Sequence, residues 1–493
     1  MSQLKGRFLP HGVGGGSAGT EARPKPRFHH KCAIIISQVN GHFRPEVRSK
    51  AYHEDDNRRI RFAGPVKPVN GVGQPPIISA IDYPMFRYLR EAGIPFSRLH
   101  DVGGMFGKGI FVDIPNLFRD FDADETDPAN YDFAFTDILI NGLVAEGVEP
   151  FFRLGTTIEN YTLVRHYRID PPRDFAKWSR ICEHVIRHYT EGWANGFKHR
   201  ITHWEIWNEP ENWETVEKNE CWHGTFDEYC RLYDVVSKHL KAAFPHLRIG
   251  GFASCGVGAA FEREEWHPSA RSRNQLACFH YFLRYIRAHK CPIDFFSYHS
   301  YAGVDDIMAQ VRYVREQLDK AGFAGLETCL NEWLPAPSHE KLGTAQQAAE
   351  VAATLVGFQQ GPLDSAAIYD ARCGVGNYSP LFNPLTYGPH KAYWAFVAFN
   401  ELRKLGTEVR ASVAADAQDG AGGVRAIAAA SGGECAAMVV NMSSEPAAFS
   451  LDAPGYAVGG CRIVDEARTW DETGLPSELP PWSILLVKLQ TSP

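Results

Sequence analysis

Ile201-Thr202-His203-Trp204-Glu205-Ile206-Trp207-Asn208-Glu209-Pro210 alternates apolar and polar residues and then runs into a proline. That is a short strand giving way to a loop, with a carboxylate at the junction. Leu326-Glu327-Thr328-Cys329-Leu330-Asn331-Glu332-Trp333 has the same form. If both strands belong to one closed barrel, Glu209 and Glu332 face each other across its mouth. Two opposed carboxylates are the minimal equipment for cleaving a glycosidic bond.

The neighbouring chain supports the barrel. Strand candidates fall at residues 66–72, 96–100, 149–154, 201–208, 247–253, 293–300, 326–332 and 365–370. Between them run amphipathic stretches. In residues 174–189, Phe175, Trp178, Ile181, Cys182, Val185, Ile186 and Tyr189 recur at spacings of three and four, one face of a helix that Asp174 is placed to cap. Tyr229, Leu232, Tyr233, Val236 and Leu240 repeat the pattern, as do Ile307, Val311, Val314 and Leu318. Further helices are expected at 83–92, 131–145, 275–289, 345–359 and 390–405. Strict strand–helix alternation implies parallel strands with crossover helices, and eight units imply a (β/α)8 TIM barrel of the α/β class. The competing doubly wound sheet lacks a glycine-rich phosphate loop after its first strand.

Beyond Leu405 the helical period disappears. Residues 424–430, 434–441 and 483–489 alternate small apolar with polar residues, which predicts an accessory antiparallel β-sandwich domain. The expected organisation is a flexible tail over 1–27, one or more strands within 28–64 joining the sandwich, the barrel over 65–405 and the sandwich over 406–493.

The chain is long enough for both units: it has 493 residues. Its net charge of -7 supplies no basic footprint for nucleic acid. The longest apolar run near the N-terminus, around Cys32 to Ile36, is too short to span a bilayer, and no secretory signal is legible. Eleven scattered cysteines without CxxC or zinc-finger spacing read as free thiols, so a cytoplasmic protein is expected, with no cofactor and no metal.

Barrel enzymes place their chemistry at the C-terminal ends of the strands. Those ends read Arg98-Leu99-His100-Asp101, Asn208-Glu209-Pro210-Glu211, Ser297-Tyr298-His299-Ser300-Tyr301, Asn331-Glu332-Trp333 and Tyr369-Asp370-Ala371-Arg372. The concentration of polar groups there exceeds what a purely structural barrel needs. Glu205 and Glu327 sit earlier on their strands and read as structural.

Trp-Asn-Glu-Pro on the fourth strand and Asn-Glu-Trp on the seventh resemble the acid/base and nucleophile signatures of clan A retaining glycoside hydrolases. Phe96-Ser97-Arg98-Leu99-His100-Asp101, Glu149-Pro150-Phe151-Phe152-Arg153-Leu154-Gly155 and Pro171-Pro172-Arg173-Asp174-Phe175-Ala176-Lys177-Trp178 extend the match. So do Glu205-Ile206-Trp207-Asn208-Glu209-Pro210-Glu211-Asn212 and Asp294-Phe295-Phe296-Ser297-Tyr298-His299-Ser300-Tyr301. In order and spacing, over roughly residues 65 to 405, these stretches resemble glycoside hydrolase family 39, which includes β-xylosidases and α-L-iduronidases.

The resemblance implies a retaining exo-glycosidase of β-xylosidase type acting on an oligosaccharide or glycoside. Glu209 would be the general acid/base and Glu332 the nucleophile, with Asn208 on the sugar 2-hydroxyl. Tyr301 or His299 would donate a hydrogen bond that keeps Glu332 ionised. His100 and Arg98 would line the glycone pocket, although Arg98 also reads as a buried ion-pair partner of the carboxylates. Trp333 and Phe152 would offer apolar surface to the sugar, or else belong to the core. The eighth strand departs from the pattern. Ala366-Ala367-Ile368-Tyr369-Asp370-Ala371-Arg372-Cys373 has no tryptophan where β-xylosidase members carry Tyr-Trp, so Tyr369 or Tyr378 would stand in. Arg372 either holds a uronate carboxylate, giving an iduronidase-like specificity, or pairs with Asp370. A carbohydrate-binding barrel without catalysis and a transglycosidase are the rival readings.

Overall fold

Eight parallel strands close on themselves in a computed structural model that describes residues 31–37, 64–78, 82–102, 112–157, 169–261, 268–415 and 423–492. A first strand, β1 (Lys31–Ser37), precedes the barrel. The barrel strands are β2 (Gly71–Gly73), β3 (Phe96–Leu99), β4 (Glu149–Leu154), β5 (His203–Ile206), β6 (Arg248–Ser254), β7 (Phe295–Ser300), β8 (Glu327–Trp333) and β9 (Ser365–Ile368). Pairing of β2 with both β3 and β9 closes the ring. All eight expected strands are present. The first starts later than expected, because Pro68 cannot donate to a ladder. At Gly71 the strands approach so closely that a Cβ would lie 2.5 Å from the Phe96 ring.

Helices α1 (Phe86–Glu91), α2 (Ile114–Leu117), α3 (Ala134–Ala145), α4 (Phe175–Thr190), α5 (Phe226–Ala243), α6 (Ala270–Ala288), α7 (Val304–Lys320), α8 (Ala345–Gln360) and α9 (Tyr393–Leu405) fill the crossovers. Only the four-residue α2 was not legible as a helix. Asp174 caps α4 by accepting from the Lys177 amide, and Thr225 with Glu228 forms a capping box on α5.

Strand alternation sorts the barrel interior into layers. Phe96, Phe151, Phe295 and Cys329 pack together as an apolar floor. One step up each strand stand Arg98, Arg153, Ser297 and Asn331, with Glu205 beside them on β5; all are buried. The intervening residues, among them Leu99, Phe152, Trp204, Phe296 and Leu330, turn outward into the main core beneath the helices. The polar layer sits directly under the C-terminal mouth.

The remaining strands are β10 (Thr407–Ala415), β11 (Val424–Ser431), β12 (Glu434–Asn441), β13 (Ala447–Asp452), β14 (Tyr456–Val464), β15 (Thr469–Thr473), β16 (Glu478–Leu479) and β17 (Ser483–Thr491). Their order is β15-β14-β17-β12-β11-β10-β1-β13-β16. The long β10 pairs with β11 through its first residues and with β1 through its later ones, so it passes from one layer to the other. Pairing is antiparallel, as expected of the accessory domain, except that β1 joins β13 in parallel. β1 and β13 lie far apart in the chain, so no hairpin dictates their relative direction. Ala426, Ala428, Ala437 and Val439 face the inter-sheet core, whereas Ile427, Ala429, Ala436 and Met438 face the barrel. Trp394 of the segment containing α9 stacks on Trp470, with centroids 5.6 Å apart, and Lys488 pairs with Glu401 at 2.5 Å. The expected N-terminal tail lies outside the described residues.

Candidate active site

The fourth barrel strand ends in a tight turn. Trp207 (φ 71°) and Glu209 (φ 46°) adopt left-handed backbone, which costs on the order of 1–3 kcal/mol per non-glycine residue. The Trp207 amide donates to the Leu154 carbonyl at 2.7 Å and the Glu209 amide to the Ala253 carbonyl at 3.1 Å, which hold the turn. Glu332 arrives from β8 through a register shift: Tyr298 pairs with Leu330, but His299 pairs with Glu332. The extra residue is Asn331, and the bulge lets Asn331 and Glu332 both reach the barrel axis.

The two carboxylates meet at His299. Its Nδ1 lies 2.7 Å from Glu209 Oε1 and 3.5 Å from Glu332 Oε2. One oxygen of each carboxylate and the His299 nitrogen all lie within 4.8 Å of one another. So close an approach of one oxygen from each is the tight pairing of retaining enzymes, whose carboxyl groups lie about 5–5.5 Å apart, and leaves less room than the water-spanning inverting pair at about 6.5–9.5 Å.

Their surroundings differ. Glu332 Oε1 accepts from Arg98 Nη1 at 2.6 Å and its Oε2 from Tyr301 Oη at 2.6 Å. Among the described residues, no lysine or arginine pairs directly with Glu209. Its Oε2 accepts from Asn212 Nδ2 at 3.1 Å, and burial raises its pKa above the usual carboxylate range. Burial pushes His299 down to about 4 and holds His100 well below 6.5, with Arg153 and Arg98 adding to the latter effect. Arg153 Nε donates to His100 Nδ1 at 3.2 Å, which places the His100 proton on Nε2, 3.2 Å from Asp101 and 4.0 Å from Glu332.

Glu209, His299 and Glu332 are also the group, among the described residues, whose spacing would admit a metal ion. The donor set argues against one: a guanidinium already sits on Glu332, and a divalent cation would face its charge at close range.

Several expected sugar contacts lie elsewhere. Arg98 is 1% exposed and spends its fork on Glu205 (Nε 2.8 Å), Glu332 and the Asn208 Oδ1 (Nη2 2.6 Å), so it supports the carboxylates from below instead of lining the pocket. Phe152 is fully buried against Trp204 and Tyr189, because it is Phe151 and Arg153 that share the inward parity. Trp333, one residue past the bulge, points outward and packs edge-on against Phe358 at 4.9 Å. Neither ring can touch a sugar. Trp333→Ala should cost about 3–5 kcal/mol of stability, as large core truncations do, with KM unchanged in the enzyme that folds. Equal chemical denaturation midpoints for variant and wild type would refute that placement. Arg372 donates to Asp370 from Nε at 2.7 Å and from its backbone at 2.9 Å, so the expected pairing with Asp370 is formed.

Tyr301, Tyr369 and Tyr378 form an edge-to-face trio beside Glu332, with centroids 5.2–6.0 Å apart. Tyr369 Oη is anchored on Asp101 at 2.9 Å. Residues not singled out beforehand complete the site. Asn331 Nδ2 donates to Glu205 Oε1 at 2.6 Å, and Asn212 holds Glu209. Strand alternation through Cys329 would have flagged Asn331; Asn212 lies on a loop and carried no such signal. Among the described residues ten cysteines are free, and no described helix is long and apolar enough to cross a membrane.

Comparison with known proteins agrees with this geometry. A β-xylosidase of Geobacillus stearothermophilus is 25% identical over 224 residues, covering 43% of this chain and 39% of that protein. A β-xylosidase of Caldicellulosiruptor saccharolyticus is 27% identical over 180 residues, covering 35% and 31%. The chain thus spans well under half the length of these curated relatives. Among solved structures, a glucosidase from Croceicoccus marinus superposes with a TM-score of 0.69 at 17% identity, over 94% of this chain and 100% of that one. A monomeric β-xylosidase from Caulobacter crescentus CB15 does so with 0.61 at 18% identity, over 94% and 100%. At those identities the likeness shows the barrel-and-sandwich fold alone. The sequence profile of the glycosyl hydrolases family 39 matches residues 96–341, the stretch that carries both carboxylates, and the chain belongs to that family.

Proposed function

We propose that the protein is a retaining exo-glycosidase of β-xylosidase type that hydrolyses O-glycosidic bonds by double displacement. The observation that carries the reading is the close pair of carboxylates in unlike environments. Glu332, held by Arg98 and Tyr301, attacks the anomeric carbon as its bond to the leaving oxygen breaks. Glu209, desolvated and 14% exposed, delivers its proton to that oxygen. Glycosylation removes the charge of Glu332. Glu209 then takes a proton from water as the water oxygen attacks the same carbon, and Glu332 leaves. Asn208, with its Oδ1 held by Arg98, is left to donate from Nδ2 to the sugar 2-hydroxyl. The neutral His100 and the tyrosine trio line the glycone side. A xylose-type glycone and the exo mode rest on the relatives named β-xylosidase. The free thiols fit a reducing compartment, so the cytoplasm is the proposed location.

The test is a panel of aryl glycosides: β-xyloside, β-glucoside, β-galactoside, α-L-arabinopyranoside and a uronide. Release from the β-xyloside is expected, falling on the alkaline side as Glu209 loses its proton. Glu209→Ala should lower kcat/KM by about 10²–10⁴ for poor leaving groups and far less for dinitrophenol, which needs no acid. A uniform loss across leaving groups would remove Glu209 from the acid/base role. Silence of the wild type on every member would favour a binding barrel.

A further inference from the structure

Arg271, in the first turn of α6, reaches the acid/base without touching it. Its Nε donates to the Asn212 carbonyl at 2.5 Å and its Nη2 to the Asn212 Oδ1, and its guanidinium lies 4.6 Å from the Trp213 ring centroid. An amide that accepts at Oδ1 from a cation has only Nδ2 left to turn elsewhere. Asn212 Nδ2 lies 3.1 Å from Glu209 Oε2, with Cys221 Sγ at 3.2 Å as its other neighbour. The cation–amide–carboxylate chain is therefore directional, and the Trp213 ring pins its far end.

The other groups facing Glu209 do not do this work. His299 on β7 is neutral, and Arg98 on β3 is occupied by Glu205 and Glu332. Glu332, Tyr301 and Tyr378 contribute negative or neutral charge from the opposite side. Glu211, two residues on, is buried between Ser254 and the Cys255 amide and pushed up to about 8, mainly by burial. The Cys221 and Cys255 thiols are held protonated by burial. Among the described residues, Arg271 is the remaining cation whose charge favours ionised Glu209.

We propose that Arg271 is a positioning residue: it fixes the Asn212 amide toward Glu209 and so readies Glu209 to act as base in the second half-reaction. The inference rests on the double-displacement reading. In the first step Glu209 must hold a proton, which burial favours. In the second it must accept one from water, so it must first have released its own to the leaving group, and the Asn212 N–H stabilises that ionised state.

The experiment uses the full chain, with Arg271→Met, and Arg271→Lys as a variant that retains the charge without the fork. For Arg271→Met, the alkaline limb of kcat/KM on an unactivated aryl glycoside should move up by about one pH unit, a tenfold change in proton affinity. On the dinitrophenyl glycoside, kcat at neutral pH should fall about tenfold. Azide, which needs no base, should restore it. Arg271→Lys should fall between the two. An unmoved limb, or a loss that azide does not restore, overturns the proposal. A readout independent of turnover is the ¹³C titration of the Glu209 carboxyl, assigned by difference from Glu209→Gln. An upward shift in Arg271→Met supports the chain of contacts even if the wild type cleaves no glycoside, in which case it is the hydrolase reading that fails. Superimposable titration curves refute the role of Arg271 whatever the activity.

Discussion

Glu332→Ala is expected to reduce aryl-glycoside hydrolysis on the order of 10⁵–10⁶-fold, the scale on which removing a covalent nucleophile acts. The variant should remain folded, because glutamate-to-alanine deletes the carboxylate along with its need for compensation: Arg98 keeps Glu205, and Tyr301 gains freedom of its hydroxyl. Added azide should restore turnover on a dinitrophenyl β-glycoside and yield the α-glycosyl azide, since the small anion fills the cavity on the nucleophile's face. Azide rescue of Glu209→Ala should instead give the β-azide, from attack on the glycosyl-enzyme. Opposite anomers from the two variants assign the two roles. The same anomer from both, or a residual rate in Glu332→Ala within tenfold of wild type, would refute the assignment.

Arg98→Ala should have the largest effect on stability. Arg98 is buried and neutralises two carboxylates at once, Glu205 at 2.7 Å and Glu332 at 2.6 Å, while also holding Asn208. Removing one member of a buried ion pair leaves uncompensated charge and costs about 3–5 kcal/mol, read as a lowered urea midpoint. The double variant Arg98→Met with Glu205→Gln should recover part of that loss, because the orphaned charge goes with its partner. Its activity should stay low, since Glu332 would still lack its guanidinium. If Arg98→Ala unfolds at the wild-type urea concentration, the network is not what holds the barrel's polar layer. This contrasts with the exposed pair Arg119–Asp132, whose loss should be worth at most about 1 kcal/mol.

The architecture was legible because it rests on local periodicity. Helical spacing in residues 174–189 and strand alternation in 201–208 survive in the folded chain as α4 and β5. The position of Glu209 and Glu332 at strand ends follows from the same reading. The side-chain inventory of the pocket was less legible. Phe152 and Trp333 were expected at the sugar and lie in the outer core, both for reasons of parity. On β4 the inward residues are Phe151 and Arg153; on β8 the bulge at Asn331 turns Glu332 inward and sends Trp333 out. A one-residue register shift changes which face a side chain serves, and nothing in Leu330-Asn331-Glu332-Trp333 announces it.

Composition and period by themselves determined that eight strand–helix units close into a barrel, that a β-rich unit follows it, and that two carboxylates stand at the mouth. These depend on contacts within a few residues, or on the generic need to bury apolar faces. The tertiary structure decided the remainder: that Arg98 is consumed beneath the site, that Arg372 answers to Asp370, that β1 runs parallel to β13, and that Arg271 governs Asn212 from a distant helix. Each of these choices is a competition among partners far apart in the chain, settled by which groups the closed barrel brings within hydrogen-bonding distance.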